Sequence, residues 1–314
     1  MSQFQAAVRR RADIPAVQRI SGPANTAINI FFAIYTLLCV FPLVVVLIAS
    51  FTDERTILVE GYSLMPEVWS LEAYRFLLKD WWAVVDSYVV SVVVTVVGTV
   101  VGLAMMSMYA YPISRQDFPF RNVFAFFLFF TILFNGGLVP FYLVYTQGLH
   151  LQNTLAVLIL PLLVNGFFVL LIRTFFANTI PKELFESAKI DGAGEWRIFT
   201  QIVLPLSLPA LATVGLFTTL NYWNDWFLSL LFINDTDAPV TIQFRMYKTL
   251  LDIQYLSANA SAYSAILAAN PNFTIPGETA RMAMAVVGIG PIIFAYPFFQ
   301  RYFVHGLTVG AIKG

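Results

Sequence analysis

The chain has 314 residues, of which 59% are hydrophobic and 11% charged, with zero net charge at pH 7 and a mean hydropathy of +0.74. A soluble globule is nearer a quarter charged, so this composition excludes one. The neutral balance gives nucleic acid no electrostatic footing, the lone Cys39 cannot form an internal disulfide, and two histidines (His150 and His305) without a neighbouring ligand cluster give no metal-site spacing.

In chain order, residues 1–28 form a polar leader carrying Arg9, Arg10, Arg11 and Arg19. The first apolar run, 29–51, is long enough to span a bilayer and lies behind that leader, so it reads as an uncleaved anchor and the first transmembrane helix. Residues 52–82 hold six acidic and three basic residues with Trp69, Trp81 and Trp82, which suits an external loop ending in an aromatic belt. A second span is expected over 83–109, where Gly98, Gly102 and Ala104 would let another helix approach closely. A short internal loop with Arg115 and Arg121 follows. The third span, 123–145, is interrupted by Asn135-Gly136-Gly137 and Pro140, and the fourth, 154–176, carries Asn165-Gly166 near its middle. The fifth runs over 202–220 with a continuation to Ile233, and the sixth over 279–303. Between them lies a polar external loop, 234–279, expected to contain short helices. The tail, 304–314, returns to the side of the leader.

Six spans place both termini on one side of the membrane. Leader, second loop, fourth loop with Arg173, and tail carry twelve of the 18 Lys and Arg; the opposite segments carry six. The positive-inside rule therefore makes the leader, the fourth loop and the tail cytoplasmic.

That fourth loop, 181–205, reads PKELFESAKIDGAGEWRIFTQIVLP. Pro181 suits a helix start, and Leu184, Phe185 and Ala188 recur at helical spacing among charged residues. Asp191-Gly192 reads as a turn, Trp196 and Phe199 restart an apolar face, and Pro205 marks entry into the next span. The segment is predicted to be a helix–turn–helix outside the bilayer, with a second protein as its partner.

Glu186-Ser187-Ala188, Asp191-Gly192-Ala193, Phe199, Ile202, Leu204 and Pro205 resemble the EAA loop of ATP-binding-cassette importer permeases, with Ser187 in place of the middle Ala. The ending PIIFAYPFFQRYFVHGLTVGAIKG is similar to that of carbohydrate-importer permeases of the maltose and multiple-sugar type, in particular the oligosaccharide-permease branch. The resemblance covers roughly residues 25–314. It implies an all-α integral membrane protein with six transmembrane helices, the type I ABC importer permease fold, an ABC transmembrane type-1 domain over 83–303 and a cytoplasmic EAA coupling helix. It implies that Glu186, Ser187, Ala188, Asp191, Gly192, Ala193, Trp196 and Phe199 serve ATPase coupling. It further implies a multi-pass subunit of a prokaryotic inner or plasma membrane. The partners would be a second, homologous permease, two ABC ATPase subunits that bind ATP and Mg, and an extracytoplasmic solute-binding protein received in part by loop 234–279.

No G-x-x-x-x-G-K-[ST] phosphate loop occurs in the chain, and no nucleophile–base pair stands out. The chain is expected to be non-catalytic and without a cofactor of its own, ATP hydrolysis residing on the partner subunits. Asn135, Asn165, Asn221 and Tyr222 lie at or near membrane depth. Neutral amides and an aromatic ring suit a carbohydrate substrate, with hydroxyls to bond and ring faces to stack; helix–helix contact serves Asn221 and Tyr222 equally well and is the better reading of Asn135 and Asn165. The alternative class is an ion-gradient-driven secondary transporter or channel. That class predicts acidic or histidine relays within the membrane, and spans two to four show no acidic residue at mid-depth.

Overall fold

The second apolar run forms the longest helix. The computed structural model describes residues 22–259 and 277–310; the leader up to residue 21, the Pro/Gly/Asn-rich end of loop 234–279 and the last four tail residues lie outside them. We number the helices in chain order: α1 (Gly22–Ser50), α2 (Glu54–Glu60), α3 (Glu72–Leu77), α4 (Trp81–Ser114), α5 (Arg121–Leu133), α6 (Leu138–Leu143), α7 (Leu155–Ile159) and α8 (Gly166–Thr179). There follow α9 (Lys182–Ile190), α10 (Glu195–Ile198), α11 (Leu204–Leu206), α12 (Leu208–Trp223), α13 (Phe227–Phe232), α14 (Ile242–Ala258), α15 (Glu278–Ile289) and α16 (Ala295–Gly310). Among the described residues there is no named strand, only an isolated bridge between Thr52 and Trp69.

Three segments are long and apolar enough to cross a membrane unbroken: Gly22–Ser50, Trp81–Ser114 and Glu278–Tyr302. Three more are bent pairs, with 111° between Arg121–Leu133 and Leu138–Gly148, 50° between Leu155–Leu162 and Gly166–Thr179, and 79° between Glu195–Leu206 and Leu208–Trp223. Counting each pair once gives six spans. The chemistry at each bend is local. Gly137 has φ +85° and its N–H bonds to Asn135 Oδ1 at 2.8 Å; Asn165 caps α8 through bonds from Phe167 N and Phe168 N; Pro209 sits in the first turn of α12, where it lacks no needed donor. The corner into the fifth span falls at Ser207, two residues beyond the expected Pro205. The first helix already includes residues 22–28, ahead of the expected Asn29. Among the described residues of loop 234–279, α14 is a helix of 17 residues; the rest of the loop, where short helices were also expected, lies outside the described residues.

Helix α4, with 34 residues, is about 51 Å long at 1.5 Å per residue, well beyond the ~30 Å hydrocarbon layer. It packs most extensively on α8 and α12. Gly98 and Gly102 make that approach possible: a Cβ at Gly98 would lie 2.3 Å from Tyr222 Cζ, and one at Gly102 would lie 2.7 Å from the Leu163 carbonyl oxygen. Ala104, grouped with them by sequence, is exposed and takes no part. Helix α1 buries only its last residues, Ala49 and Ser50, against the rest, and is apolar all round, as a lipid-facing or partner-facing helix must be.

A buried carboxylate ties the loop after α1 to the last span. Glu54, 8% exposed, accepts from Glu278 N and Thr279 N at 2.9 Å each and from Thr279 Oγ1 at 2.6 Å, so it neutralises the orphan donors at the start of α15. Glu54→Ala is expected to cost about 2 kcal/mol, since it strands buried donors that had a charged acceptor, and Glu54→Gln about half as much. Thermal unfolding of the two variants in nanodiscs checks this; equal midpoints for both and wild type would refute the capping role.

Candidate functional site

The hairpin 181–205 is built from α9, α10 and the turn between them. Helix α9 ends in a Schellman motif: Ala193 N bonds to Ala188 O at 2.9 Å and Gly192 N to Lys189 O at 3.0 Å, with Gly192 at φ +76°. Only glycine adopts that conformation without strain, which is why Asp191-Gly192 ends the helix there. Pro181 caps α9 from just outside, in extended conformation. Beyond α10 the backbone widens to a π-turn over Phe199–Val203 before α11.

The sequence-assigned residues divide into two faces. Ala188 (7% exposed) and Phe199 (5%) point inward and join a core with Ile113, Phe176, Ile180 and Ile198. Glu186, Ser187, Asp191, Gly192 and Trp196 are exposed, and Ala193 is half-buried. Trp196 is 65% exposed and the neighbouring arm presents Ile190 at 86%, large apolar surfaces left uncovered among the described residues. Thus Phe199, placed by sequence with the partner-facing set, instead anchors the hairpin to the bundle. Its ring lies 5.2 Å from Tyr111 and 5.7 Å from Trp196.

A charged cluster that sequence reading passed over sits beside the hairpin. Arg115 bonds to both oxygens of Asp117, at 2.9 Å from Nε and 2.8 Å from Nη2, while its guanidinium carbon lies 3.9 Å from the centre of the Phe185 ring. Lys189 Nζ bridges Asp117 (3.0 Å) and Glu195 (3.2 Å), and Tyr111 donates to Glu195 at 2.5 Å. The Arg115 fork, with Lys189 assisting, holds the Asp117 carboxyl well below the usual carboxylate range, and the same contact raises Lys189. In the sequence Arg115 showed only as an internal-loop cation and Phe185 and Lys189 only as positions of the hairpin helix; Tyr111, Asp117 and Glu195 carried no signal.

The membrane-depth residues are not gathered into one place. Asn135 and Asn165 are exposed but spend their side-chain oxygens on backbone donors at the two bends. Tyr222 is 1% exposed, its hydroxyl donating to Ile159 O at 2.8 Å and its ring filling the gap at Gly98. Asn221 is exposed on α12, next to the exposed Phe217 and Asn224 of the same helix face. Asn165→Ala is expected to cost about 1 kcal/mol through the lost cap; unchanged thermal unfolding would show the cap to be idle. No cluster of three or more His, Cys, Asp or Glu with metal-binding geometry occurs among the described residues.

Three continuous and three bent apolar segments, with the exposed hairpin 181–205 leading into the last bent pair, have the architecture of a type I ABC importer permease. The comparisons agree. The sequence model of the binding-protein-dependent transport system inner membrane component matches residues 118–309, and the chain belongs to that family. It is similar to the polygalacturonan/rhamnogalacturonan transport system permease protein YtcP of Bacillus subtilis (strain 168), with 36% identity over 284 residues, 90% of this chain and 96% of that one. The arabinooligosaccharides transport system permease protein AraQ of Halalkalibacterium halodurans is 31% identical over 291 residues, covering 91% and 96%. Among solved structures, a chain of a bacterial ABC transporter involved in the import of the acidic polysaccharide alginate superposes with a TM-score of 0.73 at 26% identity, covering 91% of this chain and 99% of that one. Membership of this family sets aside the ion-driven alternative.

Proposed function

We propose that this permease forms half of the translocation path for an oligosaccharide, working by alternating access with a second, related permease. The oligosaccharide class follows from the relatives, whose names specify polygalacturonan, rhamnogalacturonan and arabinooligosaccharide cargo. In this reading the hairpin docks on an ABC ATPase, where ATP and Mg are bound, and an extracytoplasmic binding protein delivers the cargo to the opposite face. The distribution of Lys and Arg supports a cytoplasmic hairpin and cytoplasmic termini. The observation that carries the reading is the pair of uncovered apolar side chains, Trp196 and Ile190, on a hairpin whose other face is fixed in the core.

On the path itself, Asn221 lies on an exposed helix face with no side-chain hydrogen bond among the described residues, whereas Asn135, Asn165 and Tyr222 are engaged within the chain. Asn221 is therefore the first of the four to test. The experiment is ATPase activity of the reconstituted complex across a panel of neutral and uronic-acid oligosaccharides loaded on its binding protein. Stimulation by one sugar class, weakened in Asn221→Ala, is the expected result. No stimulation by any oligosaccharide would overturn the substrate class, and an unchanged sugar dependence in the variant would remove Asn221 from the path.

A further inference from the structure

The hairpin is attached to the bundle twice, by different means. Ala188, Ile198 and Phe199 anchor it in an apolar core, whose attraction is non-directional. Tyr111, Arg115 and Asp117, at the inner end of α4 and the loop after it, then engage Lys189 on α9 and Glu195 on α10. Both arms are thus tied to one element. Lys182 adds a bond to Gln116 at 2.5 Å on the same loop.

From this double attachment we infer that the Arg115–Asp117–Lys189–Glu195 network is a positioning latch, fixing the angle of the coupling hairpin to α4 so that force from a docked ATPase moves the span. The inference rests on the ATPase-coupling reading of the hairpin. Two features separate it from an ordinary surface ion pair. Isolated exposed pairs contribute little, but a bidentate Arg–carboxylate contact within a network is geometrically specific. Arg115 is also the least exposed member, its side chain at 11% against 55% for Asp117, 45% for Lys189 and 55% for Glu195, and it is wedged on the Phe185 face. Lysine at 115 would keep the charge and lose both the fork and the stacking. Two positive and two negative groups leave the cluster neutral, so its effect is directional. α4 in turn carries the contacts to α8 and α12, which makes it the element through which hairpin movement reaches the path.

The test uses the full reconstituted importer and reads sugar transported per ATP hydrolysed. Asp117→Ala and Arg115→Lys are each expected to lower that ratio about tenfold, equivalent to about 1.4 kcal/mol, while the ATPase still co-purifies and the unfolding midpoint holds. A second variant addresses stiffness directly: Asp117→Cys with Lys189→Cys, in a Cys39→Ser background, should be uncoupled until a short bis-thiol crosslinker joins the two positions and restores the ratio. A normal ratio in Asp117→Ala, or no recovery on crosslinking, would overturn the latch. Trp196→Ala is the control for the underlying reading. If it leaves ATPase association intact, the docking assignment itself fails, whatever the latch variants do.

Discussion

Alanine at Gly98 or Gly102 is expected to destabilise the permease, although alanine is the better helix former by about 1 kcal/mol. The opposing term is larger. Overpacking typically costs about 1–3 kcal/mol, and more where neighbours cannot yield. At Gly102 the obstacle is a backbone carbonyl, Leu163 O, 2.7 Å from the would-be Cβ. This carbonyl sits at the bend between α7 and α8, so retreat would disturb the fourth span. At Gly98 the obstacle is the Tyr222 ring at 2.3 Å, which is 1% exposed and pinned by its hydroxyl bond to Ile159 O. We expect a loss of about 3 kcal/mol at Gly102 and somewhat less at Gly98, read as a lowered unfolding midpoint in nanodiscs. Tyr222→Leu should partly rescue Gly98→Ala, because it clears the ring from the contact; it should not rescue Gly102→Ala. Stability at or above wild type for either glycine variant would refute the close approach. The same pair of sites bears on Tyr222. If its work is to fill this gap, Tyr222→Phe leaves sugar affinity unchanged and removes one hydrogen bond of about 1 kcal/mol.

What could be read from the residue order is what local chemistry determines. Apolar runs of about twenty residues mark spans because unpaired backbone groups are not tolerated in lipid. Asn135-Gly136-Gly137 marked the bend in the third span because Gly137 needs positive φ, and Asp191-Gly192 marked the hairpin turn for the same reason. Small residues at 98 and 102 announced a close helix contact, yet Ala104 looked equivalent, and nothing local distinguishes an exposed alanine from a packed one. The contacts that shape the candidate site are of another kind. Glu54 caps a helix 224 residues away, Lys189 meets Asp117 across 72, and Tyr222 finds Ile159 across 63. Such pairs follow from the fold and leave no period or spacing in the chain. The inward turn of Phe199 was hidden for a related reason: Trp196 and Phe199 share helical spacing, and only the π-turn and the neighbouring core decide which faces solvent.

The division between those two aromatics gives the sharpest test of the docking surface. Trp196 touches Phe199 at 5.7 Å but is 65% exposed, so truncating it removes little from the folded chain. If it seats in a pocket on the ATPase, Trp196→Ala should cost at least about 2 kcal/mol of association, roughly a thirtyfold weaker affinity, since buried tryptophans dominate such interfaces. Phe199→Ala should do the reverse. At 5% exposure in the core with Ile113 and Ile198, its loss creates a cavity, expected to cost about 3–5 kcal/mol of stability. Titration of the purified ATPase onto nanodisc-embedded permease, alongside thermal unfolding, separates the two. Weakened association with an unchanged midpoint for Trp196→Ala, and a lowered midpoint for Phe199→Ala, would assign one residue to the interface and the other to the base that stiffens it. Unaltered association in Trp196→Ala would mean that the exposed face of the hairpin is not where force enters, and the coupling role would have to be sought elsewhere in the chain.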